Sequence, residues 1–224
     1  MWIKICGVTL VEDAAMIATA GADAIGLNFY PRSRRFIDVR QAVEIRERVG
    51  DALDIVGVFV NSSLAEITEV CRQTALTAVQ FHGDESATEI AAFHQASPGT
   101  AIIRAFRVGP AGTADVDAAL LELTAAEVPL AAVLVDALVA GEYGGTGHLL
   151  DPELLQHRSQ DWPRLVLAGG LNPDTVADAV DRVQPWGVDT ASGVETRPGV
   201  KCPLKVRQFV SALRSAAEPQ QRLN

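Results

Sequence analysis

The sequence predicts an α/β fold, a single (βα)8 TIM barrel of parallel strands. Eight strand-sized apolar segments recur along the 224 residues, and each is followed by a stretch of helical pattern. The segments are continuous apolar runs, as expected of parallel strands covered on both faces. No linker or shift of composition divides the chain. The expectation is therefore one barrel domain over residues 1–217 and a polar tail over 218–224. At 224 residues the chain falls somewhat short of the ~250 typical of such barrels, which calls for trim loops. An open doubly wound sheet is the alternative, but it usually has fewer strands than the eight counted here.

Trp2–Ile5 reads as the first strand, with a helix from Leu10 to Ala20 after it. Gly21-Ala22-Asp23 turns the chain into a strand at Ala24–Phe29. The loop Tyr30–Ile37 leads to a helix at Val39–Val49 and a strand at Asp54–Phe59. Asn61-Ser62-Ser63 offers capping oxygens for a helix at Leu64–Thr74. A strand at Ala78–Phe81 and a helix at Glu85–Gln95 follow, closed by the turn residues Ser97-Pro98-Gly99. Next come a strand at Ala101–Phe106, a helix at Ala114–Leu123 and a strand at Leu130–Val135. The loop Asp136–Leu150 is the longest and holds Gly141, Gly144, Gly145 and Gly147. A short helix at Pro152–Gln156, a strand at Arg164–Ala168, a helix at Pro173–Val183 and a strand at Gly187–Thr190 bring the count to eight strands. The last helix is expected over Pro203–Ala217.

Composition excludes several classes of function. Net charge is −9 with no basic run, so nucleic acid is not an expected partner. Apolar runs fall far below the ~18 residues of a membrane span. The first strand begins almost at the N-terminus, leaving no room for a signal peptide. Cys6, Cys71 and Cys202 are odd in number and widely spaced, which suggests reduced thiols in a cytoplasmic protein. Cys71 and Cys202 read as structural. The four histidines, His82, His94, His148 and His157, show no metal-binding spacing. Metal: none is the reading, and there is no dinucleotide or nucleoside-triphosphate motif.

Barrel enzymes place their chemistry where the strands exit, and several residues fall there. Cys6 ends the first strand beside Gly7. A cysteine is usually a small buried hydrophobe, but at a strand exit beside a cation it can serve as base or nucleophile. Lys4 points the same way as Cys6, two residues below it. A lysine buried there needs a partner, and Asp189 near the end of the eighth strand is the neighbour expected. Asp136 follows Val133-Leu134-Val135; it is a catalytic group, a metal ligand or a cap of the next turn. His82 can line the mouth, whereas His94 and His157 read as helix-surface residues. The loop after the second strand carries Arg32, Arg34 and Arg35, and an arginine facing the mouth would bind a carboxylate in two-pronged fashion. Arg104 is a further inward candidate. Gly169-Gly170 after the seventh strand and Ser192-Gly193 after the eighth form the pair of loops that in barrels commonly holds phosphate through backbone N–H groups.

Seven segments together carry a more specific signal: Lys4-Ile5-Cys6-Gly7, Gly26-Leu27-Asn28-Phe29, Ser33-Arg34-Arg35, Gln80-Phe81-His82-Gly83-Asp84-Glu85, Gly144-Gly145-Thr146-Gly147, Leu167-Ala168-Gly169-Gly170-Leu171-Asn172-Pro173 and Asp189-Thr190-Ala191-Ser192-Gly193-Val194-Glu195. In this order they resemble the phosphoribosylanthranilate isomerase family of tryptophan biosynthesis, over nearly the whole chain. The resemblance implies an Amadori rearrangement of N-(5-phosphoribosyl)anthranilate without a cofactor. It implies Asp136 as general acid, Cys6 as general base, Arg35 on the anthranilate carboxylate and the two glycine loops on the phosphate. It implies a monomer or a homodimer acting on a small phosphorylated molecule. Two stretches depart from the family pattern: His148-Leu149-Leu150-Asp151-Pro152, and Cys202 where aspartate is usual.

Two competing functions are weighed. The related histidine-pathway sugar isomerases resemble two half-barrel repeats and carry aspartate where this chain has Cys6. A silent sugar-phosphate-binding barrel has no need of both Cys6 and Asp136.

Overall fold

In the computed structural model, which describes residues 1–109, 112–137, 152–155 and 158–214, eight parallel strands close into a barrel. They are β1 (Trp2–Cys6), β2 (Ala24–Asn28), β3 (Asp54–Phe59), β4 (Ala78–Phe81), β5 (Ala101–Val108), β6 (Leu130–Ala137), β7 (Leu165–Leu167) and β8 (Gly187–Thr190). Around it lie α1 (Val11–Ala20), α2 (Val39–Val49), α3 (Leu64–Thr74), α4 (Ala87–Ala96), α5 (Ala114–Ala125), α6 (Val176–Val183) and α7 (Pro203–Arg214).

The strand pleat sorts the apolar residues into two cores. Trp2, Ala24, Val56, Ala78, Ile103, Ala105, Ala132, Leu134, Val166 and Ala168 fill the barrel interior. Five of these ten are alanines, on β2, β4, β5 and β6 and just beyond β7, small enough for strands converging on one axis. Alternate residues such as Ile3, Ile5, Ile25, Leu27, Ile55 and Val133 face the helices and form the larger core. Continuing the inward series up each strand leads from Trp2 through Lys4 to Cys6, from Leu134 to Asp136, and from Gly187 to Asp189. The chemistry-bearing residues thus top the interior column.

Three helices begin in full capping boxes: Asp38 with Gln41, Ser63 with Glu66, and Ser86 with Glu89. Ser63 is the cap that the Asn61-Ser62-Ser63 run promised. The Ser86 cap starts α4 at Ala87 rather than at Glu85, freeing Glu85 for another task. α6 begins at Val176, three residues later than the helix expected from Pro173, because Asn172 Oδ1 accepts the Asp174 and Thr175 amides in a turn of its own. Pro152–Leu155 is a single 3-10 turn; Gln156 lies outside the described residues. β5 and β6 each run two residues past the expected end.

One element escaped the sequence reading. After a 3-10 turn at Ser192–Val194, β9 (Glu195–Arg197) and β10 (Val200–Lys201) form a small antiparallel hairpin. These strands are too short to show a period. Cys202 follows, immediately before α7: its amide donates to Val194 O at 2.8 Å and its carbonyl accepts the first helical amide, that of Val206, at 3.0 Å.

Candidate active site

The strand exits surround one cavity. Its wall is built from Cys6 of β1, Asn28 of β2, Gln80 and His82 of and beyond β4, Asp136 of β6, Ala168-Gly169-Gly170 beyond β7, and Asp189 to Ser192 at the end of β8. Ser33 and Arg35 reach it from the loop after β2. Eight residues singled out from the sequence meet here: Cys6, Arg35, His82, Asp136, Gly169, Gly170, Asp189 and Ser192.

Lys4 lies one layer lower, fully buried. Barrel closure pairs β1 with β8 so that Lys4 and Asp189 are register partners, and Lys4 Nζ donates to Asp189 Oδ1 at 2.9 Å. Burial alone would lower the lysine's pKa, but the Asp189 carboxylate and the nearby Cys6 outweigh it, so Lys4 is held firmly as a cation. Burial pushes the Cys6 thiol above its ordinary range; Lys4 and Lys201 pull the other way, and Asp189 adds to the rise. The nearby cation expected from sequence is present, yet desolvation outweighs it, and the resting group is a thiol.

Gly169 and Gly170, both in the cavity wall, have φ of +89° and +62°, a left-handed pair that favours glycine. Gly193 does not line the cavity. A Cβ there would meet Leu171 O at 1.9 Å, so its lack of a side chain lets the loop after β8 close on the loop after β7. Thr190 Oγ1 donates to the same carbonyl at 2.6 Å.

Gln80 Nε2 and His82 Nδ1 lie 2.7 Å apart. Burial first, then the cations Lys4, Arg107 and Arg104, push the His82 pKa down to about 3. His82 is therefore a neutral imidazole, and its Nε2, with Gln80 Oε1, is buried without a hydrogen-bond partner in the described structure. The unfolded chain takes up that proton at the ordinary histidine value. Between that value and about pH 3 the unfolded state binds more protons, so stability falls as pH falls through this window. We expect His82→Gln to flatten that fall. Urea midpoints at pH 7 and pH 5 for both proteins check it; equal slopes would remove His82 as the cause.

Arg104 is not in the site. It sits on the outward face of β5, between Ile103 and Ala105 of the interior, and binds Glu85 Oε2 at 2.8 Å and the carbonyls of Phe81, Gly83 and Glu85. Glu85 also accepts from the Asn61 and Gly83 amides at 2.7 and 2.9 Å. The pair thus clamps the loops beneath His82. The glycines at 141, 144, 145 and 147, the departure at His148–Asp151, and His157 lie outside the described residues. Arg32 and Arg34 are exposed while Arg35 is half-buried, which separates the three arginines as spacing did not. Sequence reasoning also missed the partner of Arg35: Glu195, with Lys201 bound to it in turn, comes from the small hairpin, and nothing local in sequence points at a residue 160 positions away.

A family model for N-(5'-phosphoribosyl)anthranilate isomerase matches residues 3–212. The chain belongs to this family. A relative from Chlorobium phaeobacteroides named N-(5'-phosphoribosyl)anthranilate isomerase is 41% identical over 219 residues, covering 96% of this chain and 98% of its own. A crystal structure of monomers generated from the dimeric family enzyme of Thermotoga maritima is 32% identical, with a TM-score of 0.81 over 96% of this chain and 99% of that one. Another family structure, solved with reduced 1-(o-carboxyphenylamino)-1-deoxyribulose 5-phosphate, has the same identity, TM-score and coverage. Among the described residues no helix is long and apolar enough to cross a membrane.

Proposed function

We propose that this chain catalyses the Amadori rearrangement of N-(5'-phosphoribosyl)anthranilate to 1-(2-carboxyphenylamino)-1-deoxyribulose 5-phosphate, with Asp136 as acid and Cys6 as base. The observation that carries the reading is that Cys6, Asp136, Arg35 and the loops after β7 and β8 share one cavity. An acid, a base, a cation for a carboxylate and an amide cradle for a phosphate are what this substrate needs.

The Asp136 carboxyl gives its proton to the furanose ring oxygen. The C1'–O bond breaks as the nitrogen lone pair forms a C=N bond, leaving an open-chain iminium ion. The Cys6 thiolate removes the C2' proton, and the electrons of that bond neutralise the nitrogen to give an enolamine. Tautomerisation then adds a proton at C1' and removes the one on O2', so the substrate's proton count is unchanged. Lys4 and Asp189 serve as support: the ammonium below Cys6 favours the thiolate, and Asp189 keeps that ammonium charged. His82 lines the wall as a neutral hydrogen-bonding group. Gly169, Gly170 and Ser192 hold the phosphate, with Gly193 fixing the loop. Residues 1–217 act as one catalytic unit, as monomer or homodimer, without nucleic acid and in the cytoplasm. The acidic balance and the three free, widely spaced thiols support this setting.

The direct test is the decay of anthranilate-type fluorescence from freshly made N-(5'-phosphoribosyl)anthranilate. No acceleration by protein that still binds the reduced product analogue would leave a silent binding barrel. Arg35→Ala tests the carboxylate contact: KM is expected to rise about tenfold or more with kcat less affected, the loss of a charge-assisted pair. An unchanged KM removes Arg35 from that role.

A further inference from the structure

The Arg35 guanidinium is already held by a carboxylate before any substrate arrives. Its Nε donates to Glu195 Oε1 at 2.9 Å and its Nη2 to Glu195 Oε2 at 2.8 Å, a two-pronged pair. Glu195 is buried and is itself fixed from several sides. Lys201 Nζ donates to Oε1 at 2.7 Å and the Gly199 amide to the same oxygen at 3.2 Å. Lys201 is almost fully buried and also donates to the carbonyls of Cys6 and Ala191, at 2.5 and 3.3 Å. Burial pushes the Glu195 carboxyl up, but Arg35 and Lys201 bring it below the ordinary carboxylate range, so it stays ionised. The stem of Arg35 lies over Gly7, where a Cβ would meet Arg35 Cδ at 2.2 Å. The guanidinium is thus confined from both ends.

We propose that Glu195 is a positioning residue that presents Arg35 to the substrate carboxylate. The inference rests on the reading of Arg35 given above. A guanidinium has five N–H donors. Glu195 occupies the Nε–Nη2 edge, and the Nη1–Nη2 edge is the one that can pair with a second carboxylate in the same plane. Fixing one edge removes the rotamer freedom that a long side chain would otherwise lose on binding. Charge supports the same arrangement. Two cations, Arg35 and Lys201, face one anion, Glu195, leaving one positive charge for an incoming carboxylate.

Two roles for Glu195 predict opposite signs. As a mere counter-charge it would repel the substrate carboxylate, and Glu195→Gln would lower KM. As a positioning residue its loss frees the guanidinium, and KM would rise. We expect Glu195→Gln to raise KM roughly tenfold with kcat within about twofold. In an Arg35→Ala background it should change KM by less than about twofold, since the two act as one unit. The measurements are steady-state kinetics on the full chain for the two single variants and the double variant, with thermal unfolding beside them. A KM that falls or stays level in Glu195→Gln, while Arg35→Ala raises it, overturns the proposal and leaves the carboxylate reading standing. Level KM in Arg35→Ala overturns that reading and the proposal with it. Equal added increments in wild-type and Arg35→Ala backgrounds show a structural role alone and overturn the proposal. Should Glu195→Gln not fold, Glu195→Asp keeps the charge but cannot span Arg35 and Lys201; a raised KM supports positioning, and a level one overturns it.

Discussion

Cys6→Ala is expected to lower kcat by about 10²–10⁴-fold, the range for removing a positioned base, while binding of the reduced product analogue stays close to wild type. The change deletes one sulfur from the cavity wall and leaves Arg35 and the loops after β7 and β8 in place. The wild-type pH profile provides a second check with a definite sign. Burial holds the thiol above its ordinary range, and the thiolate is the reactive form. Wild-type kcat/KM should therefore climb with pH on the alkaline side of neutral as the thiolate fraction grows. The residual activity of Cys6→Ala should lack that limb. Equal fluorescence decay in variant and wild type would keep the enzyme and discard Cys6 as its base.

Asp136→Asn is expected to abolish most turnover through a different step. Asparagine matches aspartate in shape, so the interior column of β6 above Leu134 is undisturbed, but its amide gives up no proton at neutral pH. Ring opening, which needs a proton on the ring oxygen, is then uncatalysed, and kcat should fall by about 10²–10⁴-fold. KM and analogue binding should change little, because the residues proposed to hold the phosphate and the carboxylate lie beyond β7 and β8 and on the loop after β2. Near-wild-type kcat in a folded Asp136→Asn protein would refute the acid assignment. Together the two variants separate the reaction's halves, the acid acting before the Schiff base and the base after it.

The barrel was legible because its strands are continuous apolar runs and three of its helices begin with oxygen-bearing caps. The Asn61-Ser62-Ser63 signal led to a real cap at Ser63. Helix starts were misread where a side chain made a turn of its own, as Asn172 does before α6. Arg104 was misassigned by a single residue of phase: in a strand, one position decides between interior and helix-facing sides. Lys4 and Asp189 were paired from sequence because closure of a barrel brings its first and last strands together. Glu195 and Lys201 had no such cue. They lie on strands of three and two residues, below the length at which periodicity speaks.

By itself the sequence determined the fold class, the exit positions of Cys6 and Asp136, and the two glycine loops, because each follows from local pattern and from strand order. The tertiary structure alone decided which arginine of three faces the cavity, what holds it, and the protonation states of Cys6 and His82. Those depend on burial and on charges brought together from opposite ends of the chain, as when Glu195 meets Arg35 across 160 residues. Desolvation and long-range pairing are properties of the closed barrel, and no window of sequence contains them.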